Sequence, residues 1–465
     1  MELLVRVIEE LWEDKPDNVL PCAPSPLDRD SLLQNLKSVR LVNNVFKAAA
    51  FRVFRDAFFT KRTIVMDKRS LTKLMDLTAS DLGNKLDTLI ISTYQFLPSI
   101  CESKVAFEKH IRKHKNTEHT YLKQIGDEFD AKRIAVALKA YRRYLKEQGI
   151  MRKTAADSAM LARALGNVRK SLMSVCITGF EPSCGSRAIA RDVGVTHHVG
   201  DFPASIAKEV VSVVVRAIYW SRIELCQLKF TCLSLGALQL SDGDYYHLKR
   251  SNIHLHGMDL AVRQSENDDR EALEDDALGT LIRTARHLTS LALRFPEFQP
   301  YPFALRSLVG TRHMLTCLEL EGLTVQRNDL FCTLIKLRHT LCSISLRTTF
   351  LRTGTWRKMF EWMHKTLALS DFAFHVIWDT DEELHTATAS LKDYMTNVSD
   401  EFDWTDMKGE IKPSEIAVLQ LGTDSDWSFN SGDEGDDESD DESDVESDDS
   451  DESESSGADD ELGCE

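Results

Sequence analysis

The sequence lacks the common marks of a catalytic chain. It holds no Walker-type glycine loop, no G-x-S-x-G and no H-E-x-x-H, which removes the usual phosphate-cradling, serine-hydrolase and zinc-protease solutions. It has ten cysteines but no Cys-x-x-Cys pair: Cys22, Cys101, Cys176, Cys184, Cys226, Cys232, Cys317, Cys332, Cys342 and Cys464 are scattered. A small disulfide scaffold is thereby excluded, and a reducing compartment, cytoplasm or nucleus, is expected. No run reaches the roughly 18 apolar residues of a membrane helix. The opening stretch MELLVRVIEELWED is broken by Glu2, Arg6, Glu9 and Glu10, so it does not read as a secretory leader. Close histidine groups are limited to His197-His198 and His254-x-His256. With Cys226 and Cys232 the second gives a spacing that no common zinc finger uses, and core cysteines with surface histidines is the plainer reading. Acid pairs such as Asp379/Asp381 and Glu382/Glu383 read as a solvated face. No catalytic residue, cofactor or metal ligand is expected, and the chain is not read as an enzyme.

Positive charge is also scarce, but only locally. The formal net charge of the 465 residues is -17, yet Asp433–Glu465 holds 19 Asp and Glu and no Lys or Arg. The remaining body is therefore close to neutral, at +2. Residues 425–465 have almost nothing to bury and are expected to be disordered. Within that tail Ser431, Ser439 and Ser443 each precede a Glu by three residues; they are candidate sites for an acid-directed serine kinase, each phosphate adding about -1.5 to -2. Such tails also suit a basic protein partner. A second acidic stretch, Gln264–Asp276, reads as a loop into a helix, because Ala277, Leu278, Leu281, Ile282 and Ala285 follow at helical spacing.

What the chain has in plenty is patterned leucine. Leu288-Thr-Ser-Leu291-Ala-Leu293 has the form L-x-x-L-x-L. The form returns at Leu315, at Leu341 and, with aromatics, at Leu369-Ser-Asp-Phe372-Ala-Phe374, with starts 27, 26 and 28 residues apart. Leucine-rich repeats run about 20–29 residues. The triplet puts alternate apolar side chains on one face of a short strand, and that face needs cover. The intervening segments supply it: Leu330, Leu334 and Leu337, then Trp356, Met359, Phe360, Met363 and Leu367, fall on helical stripes. An ordinary α/β domain with fortuitous spacing is the competing reading. The Asn that usually follows the strand is absent, its places taken by Pro296, Leu323 and Thr349. Looser copies start at Leu86, Leu172, Leu225 and, marginally, Leu255, at long and uneven intervals. Helical stripes over Ala131–Leu145 (Ile134, Leu138, Tyr141, Leu145) and Ala156–Leu165 read as insertions. The basic cluster Lys109-His-Ile-Arg112-Lys113-His-Lys115 lacks interleaved aromatics for base stacking and reads first as a solvated helix face.

The N-terminus reads as three short helices. Leu3, Leu4, Val7, Ile8 and Leu11 form one amphipathic face; Pro16, Pro21, Pro24 and Pro26 forbid helix between. Then Ser31-Leu-Leu-x-x-Leu36-x-x-Val39-Arg-Leu-Val42-Asn-x-x-Phe46 carries more apolar positions than one stripe, and Ala48–Phe54 follows a kink. About 50 residues in short helices bury little alone. This stretch resembles an F-box. Together with Phe51-Arg-Val-Phe-Arg-Asp-Ala-Phe-Phe-Thr, Ser70-Leu-x-x-Leu and Leu86-x-x-Leu-Ile-Ile-Ser-Thr, it is similar to fungal F-box-like proteins with degenerate leucine-rich repeats, over most of residues 1–400. The Leu-Pro that usually opens the first helix is absent, and the loop from Glu13 to Leu27 is longer than usual.

The repeats, the composition and the resemblance together give the expectation of an α/β chain in four parts. These are a three-helix F-box-like module (1–60), an irregular leucine-rich-repeat solenoid with a parallel sheet and helical insertions (61–400), a connecting segment (401–424) and the acidic tail. The resemblance implies the substrate-recognition subunit of an SCF-type cullin–RING ubiquitin ligase. Leu3, Leu4, Ile8, Leu11, Leu32, Leu36, Val39, Val42 and Phe46 would dock a Skp-type adaptor, and the repeats would hold an unknown target protein. The competing readings are a purely structural helical cap, and a repeat scaffold that binds a basic protein through the tail. No nucleic-acid or membrane partner is expected.

Overall fold

The computed structural model describes residues 59–114, 131–179, 204–263, 277–295, 314–379 and 389–396, with isolated positions that include residues 192–193, 301–302, 305, 384–385 and 402. The adaptor-docking candidates Leu3 to Phe46 and the serines Ser431, Ser439 and Ser443 lie outside the described residues. The chain divides into two units, Met1–Leu419 and Gln420–Glu465; all described residues belong to the first.

That unit is α/β, built on a twelve-stranded sheet whose main path is parallel except at its end. The strands are β1 (Lys61–Val65), β2 (Thr88–Ser92), β3 (Ser174–Thr178), β4 (Gln227–Leu233), β5 (Gly257–Val262), β6 (Ser290–Arg294), β7 (Tyr301–Pro302), β8 (Cys317–Glu321), β9 (Leu323–Val325), β10 (Ser343–Leu351), β11 (Asp371–Asp379) and β12 (Leu384–His385). From β1 to β11 the main path runs in sequence order without reversal, the short β7 and β9 forming a side ladder beside β10. The order has no switch point of the doubly wound kind. β12 closes the far end, antiparallel to β11.

The register explains why. Leu89, Val175, Leu228, Met258, Leu291, Leu318, Ile344 and Phe372 pair one to the next across eight strands. Two residues on, Ile91, Ile177, Phe230, Leu260, Leu293, Leu320, Leu346 and Phe374 do the same. The leading residue of each unit, from Leu86 to Leu369, is buried too. The eight triplets in the sequence are thus three apolar columns on one sheet face, all in one core. The four upstream copies, uneven in sequence, are as regular in register as the four downstream, Leu255 included. Insertions lengthen the connections and leave the rows intact. An extra first row, β1, has no triplet: exposed Arg62 occupies the place paired with Leu89, and Ile64 that paired with Ile91.

Backbone hydrogen bonds lock the rows together. The carbonyl of Thr60 accepts the N–H groups of Asp87 and Thr88. The carbonyls of Asp87, Met173, Cys226, His256, Thr289, Thr316 and Cys342 each accept two from the next row, at 2.7 to 3.1 Å. Every donor follows the leading apolar residue of its row. This main-chain ladder does the joining that an Asn ladder would otherwise do, and needs no particular side chain. After the strands, Gly322 N–H donates to Arg347 O (3.0 Å) and Phe295 N–H to Glu321 O (2.9 Å). Gly322 has φ +67° there, and a Cβ would sit 1.8 Å from Phe295 O, so only glycine fits.

Helices cover the apolar face: α1 (Lys68–Ala79), α5 (Ala156–Asn167), α6 (Ala204–Ser221), α7 (Leu235–Leu238), α8 (Asp242–Ser251), α9 (Ala277–Arg283), α10 (Arg327–Leu337) and α11 (Trp356–Thr366). Asp67 caps α1 by accepting from the Arg69 and Ser70 N–H groups. α6 is apolar nearly all round, which suits a helix held between neighbours: it packs on α5, α7 and α8. The expected stripes of α10 and α11 are buried at Leu330, Leu334, Trp356, Met359, Phe360 and Met363. At the end, α12 (Ala389–Met395) turns Leu391, Tyr394 and Met395 into the core.

The insertion between β2 and β3 divides its helices. α5 joins the main core, whereas α2 (Pro98–Cys101), α3 (Lys104–His114) and α4 (Ala131–Lys153) form a second core with Val65, Tyr94 and Phe96. Val65 follows Ile64 in β1, so its side chain leaves the opposite sheet face. Hydrogen bonds hold α4 to the segment after β2. The Tyr141 hydroxyl accepts the Leu97 N–H (2.7 Å), and Gln148 Oε1 accepts the Phe96 N–H (2.9 Å). The Arg142 guanidinium donates to Cys101 O at 2.9 Å. Burial pushes the Tyr141 phenol well above its ordinary range, so it stays protonated.

Two glycine substitutions test this picture. Gly322→Ala is expected to destabilise by roughly 1–3 kcal/mol or more, because it adds a Cβ in a strained conformation. Gly149→Ala, in α4 with open space around the site, is expected to stabilise by about 0.5–1 kcal/mol. Denaturant midpoints of the two variants check both signs.

Candidate interaction face

Alternation along the strands sends every second residue to the sheet face opposite the apolar columns. On β4 to β11 that face is built of polar and small residues in two registered lines. One runs Lys229, Asp259, Ala292, Glu319, Ser345, Ala373; the other runs Thr231, Ala261, Arg294, Glu321, Arg347, His375. The covering pattern differs along the sheet. At β1 the second core packs against this face through Val65, whereas from β4 onward the residues of the first line are mostly half-buried, and Ala373 is exposed.

Arg294 is the centre. Its Nη2 donates to Glu319 Oε2 at 2.9 Å and its Nε to Glu319 Oε1 at 3.3 Å, a two-point grip. Its Nη1 donates to Asp259 Oδ2 at 3.4 Å, and Glu321 Oε2 lies 3.8 Å from Nε. Glu319 Oε1 is in turn 3.8 Å from Arg347 Nε. One continuous network therefore spans β5, β6, β8 and β10. Three cations (Lys229, Arg294, Arg347) face three anions (Asp259, Glu319, Glu321).

The electrostatics of the face are uneven. Burial disfavours the Arg294 charge, but the Glu319 hydrogen bond and the charges of Asp259, Glu319 and Glu321 outweigh it and hold its proton more firmly than usual. For Asp259 the balance goes the other way. Burial raises its carboxyl above the ordinary value, and the pull of Arg294 and Lys229 does not fully offset it. Its Oδ1 is buried with no hydrogen-bond partner among the described residues, as is Ser345 Oγ in the same line. A carboxylate held at such cost, with one oxygen buried and unused, is a poor structural device.

Other residues singled out in the sequence do not converge. His254 and His256 are exposed, Cys226 and Cys232 are half-buried on a neighbouring row, and no group of three potential metal ligands gathers among the described residues. Among the described residues, no helix is long and apolar enough to cross a membrane. The charge network escaped sequence reading because its members lie 25 to 35 residues apart; the visible signal was the x of each triplet, which holds Asp259 and Glu319. Neither protein-family models nor curated proteins match this chain.

Asp259→Asn separates structure from recognition. The raised folded-state value means that ionisation of Asp259 opposes folding at neutral pH, and that the penalty disappears as pH falls through its folded value. Arg294 keeps Glu319 and Glu321, so the variant leaves its guanidinium paired. The melting temperature of Asp259→Asn at pH 7 is therefore expected to equal or exceed that of the wild type, with the gap closing between that raised value and the ordinary one near 3.8. A loss of several degrees at pH 7 would show the carboxylate to be structural.

Proposed function

We propose that the chain is a non-enzymatic substrate receptor in which a leucine-rich-repeat solenoid holds a target protein while the N-terminal helices dock a Skp-type adaptor of a cullin–RING ubiquitin ligase. The observation that carries the recognition half is the sheet: rows of one triplet in strict register, one face sealed under helices, the other lined by the Asp259–Arg294–Glu319–Arg347 network. A face that is polar, rigid and built from successive rows suits a protein surface better than a small molecule, which needs an enclosed pocket. The adaptor half rests on the resemblance of residues 1–60 to an F-box, through Leu3, Leu4, Ile8, Leu11, Leu32, Leu36, Val39, Val42 and Phe46.

Affinity purification checks both halves. The wild-type protein is expected to bring down a Skp-type adaptor, and Leu36→Asp with Val39→Asp to abolish that capture while target binding persists. Adaptor capture that survives both substitutions, or is absent from the wild type, refutes the ligase reading.

The charge of the tail favours a second reading, a scaffold that binds a basic protein through residues 431–465. Deleting those residues would then remove partner binding together with its sensitivity to salt. Unchanged binding after deletion leaves the sheet face as the recognition surface.

A further inference from the structure

The helical insertion carries a surface that the sheet does not explain. α4 buries Ile134, Leu138, Tyr141 and Tyr144 in the second core. Its other side displays Lys132, Val136, Lys139, Arg143, Lys146, Ile150 and Lys153, all exposed. These are spaced alternately four and three residues apart, so they form one continuous stripe that winds slowly, by about 20° per heptad, along the helix. The stripe extends for about 31 Å, at about 1.5 Å per residue. Val136 and Ile150 stand 63% and 52% exposed, two heptads, or about four helical turns, apart. Lys132, Lys139, Lys146 and Lys153 have no ion-pair partner among the described residues, whereas Arg143 meets Asp192 at 3.4 Å.

A solvated helix face has no need of such a repeat. Val136 and Ile150, exposed two heptads apart among five cations, offer a partner helix positive charge along the stripe and an apolar contact at two points. We propose that the exposed stripe of α4 docks an acidic amphipathic helix of another protein, with carboxylates opposite the four lysines and aliphatic side chains against Val136 and Ile150. Charge complementarity sets the sign of the partner, since seven charges in the stripe and its two flanks (Lys132, Arg133, Lys139, Arg142, Arg143, Lys146, Lys153) are positive and the intervening acid is Glu147 alone. The two aliphatics select a helix over a phosphate backbone, which has nothing to pack on them. Two single side chains about 21 Å apart bury too little to insert into a bilayer. This surface is separate from the sheet face, so its failure leaves the receptor reading untouched, and loss of adaptor capture leaves this one untouched.

The test uses the full chain and a labelled helical peptide of heptads, with Leu at one seam position and Glu at the other, followed by fluorescence anisotropy. A peptide of the same composition in scrambled order, a short DNA duplex and phosphatidylserine vesicles are compared with it. The wild type is expected to bind the heptad peptide at least about ten-fold more tightly than the scrambled one, with affinity falling as salt rises. Lys139→Glu with Lys146→Glu, and separately Val136→Ser with Ile150→Ser, are each expected to weaken it about ten-fold; Lys139→Arg with Lys146→Arg is expected to retain it. All four positions are exposed, and matching thermal melts check that the fold is kept. Equal binding of the scrambled peptide, tighter binding of duplex or vesicles, or undiminished binding by the Glu variant overturns the proposal.

Discussion

Each row of the sheet is joined to the next by one carbonyl that accepts two N–H groups. That repeated contact is the constraint on which the rest depends. It sits directly after the leading apolar residue of the row, so it fixes where the strand begins. Once the start is fixed, the two following apolar residues must fall into the same columns as those of the row before. A slip by one residue would turn both of them to the face that carries Arg294 and Glu319, and bring charge into the core. The backbone ladder and the hydrophobic columns therefore enforce one another.

The two faces of the sheet follow from that register and do different work. The apolar face gains by burying one leucine or its equivalent per row and column, about 1.5–3 kcal/mol for each before entropy is counted. The opposite face gains little from its ion pairs, since half-exposed pairs contribute around 1 kcal/mol or less. Its charges are better understood as geometry. Arg294 is gripped from both neighbouring strands at once, so a partner would meet a pre-ordered surface and lose little side-chain freedom on binding.

Much of this was legible in the sequence, and the limits have physical causes. The four upstream triplets read only as looser copies, Leu255 marginally, but the strand and burial of the four downstream ones could be read, because period-two alternation is written in adjacent residues. So could the covering stripes of Leu330–Leu337 and Trp356–Met363. The upstream rows looked irregular only because spacing in sequence measures the connection and not the register. β1 was missed because Arg62 stands where its column calls for an apolar residue. The two destinations of the insertion were not legible either: Leu161 and Tyr141 look alike in a helical pattern, and only the sheet between them tells which face each meets. Likewise nothing local links Asp259 to Arg294 and Glu319.

The long connection between Leu86 and Leu172 has a further meaning. Joining rows 27 residues apart and rows 86 residues apart differs by about 1 kcal/mol in closure entropy for a slack chain. This connection is not slack, however. Its own helices pack around Tyr141 and Phe107 into the second core, so much of the connection is ordered and its ends are held closer than those of a slack chain of that length. The insertion that interrupts the repeat in sequence is in this sense its splint: it shortens the path the chain has to search, and it sets a second core against the sheet at β1.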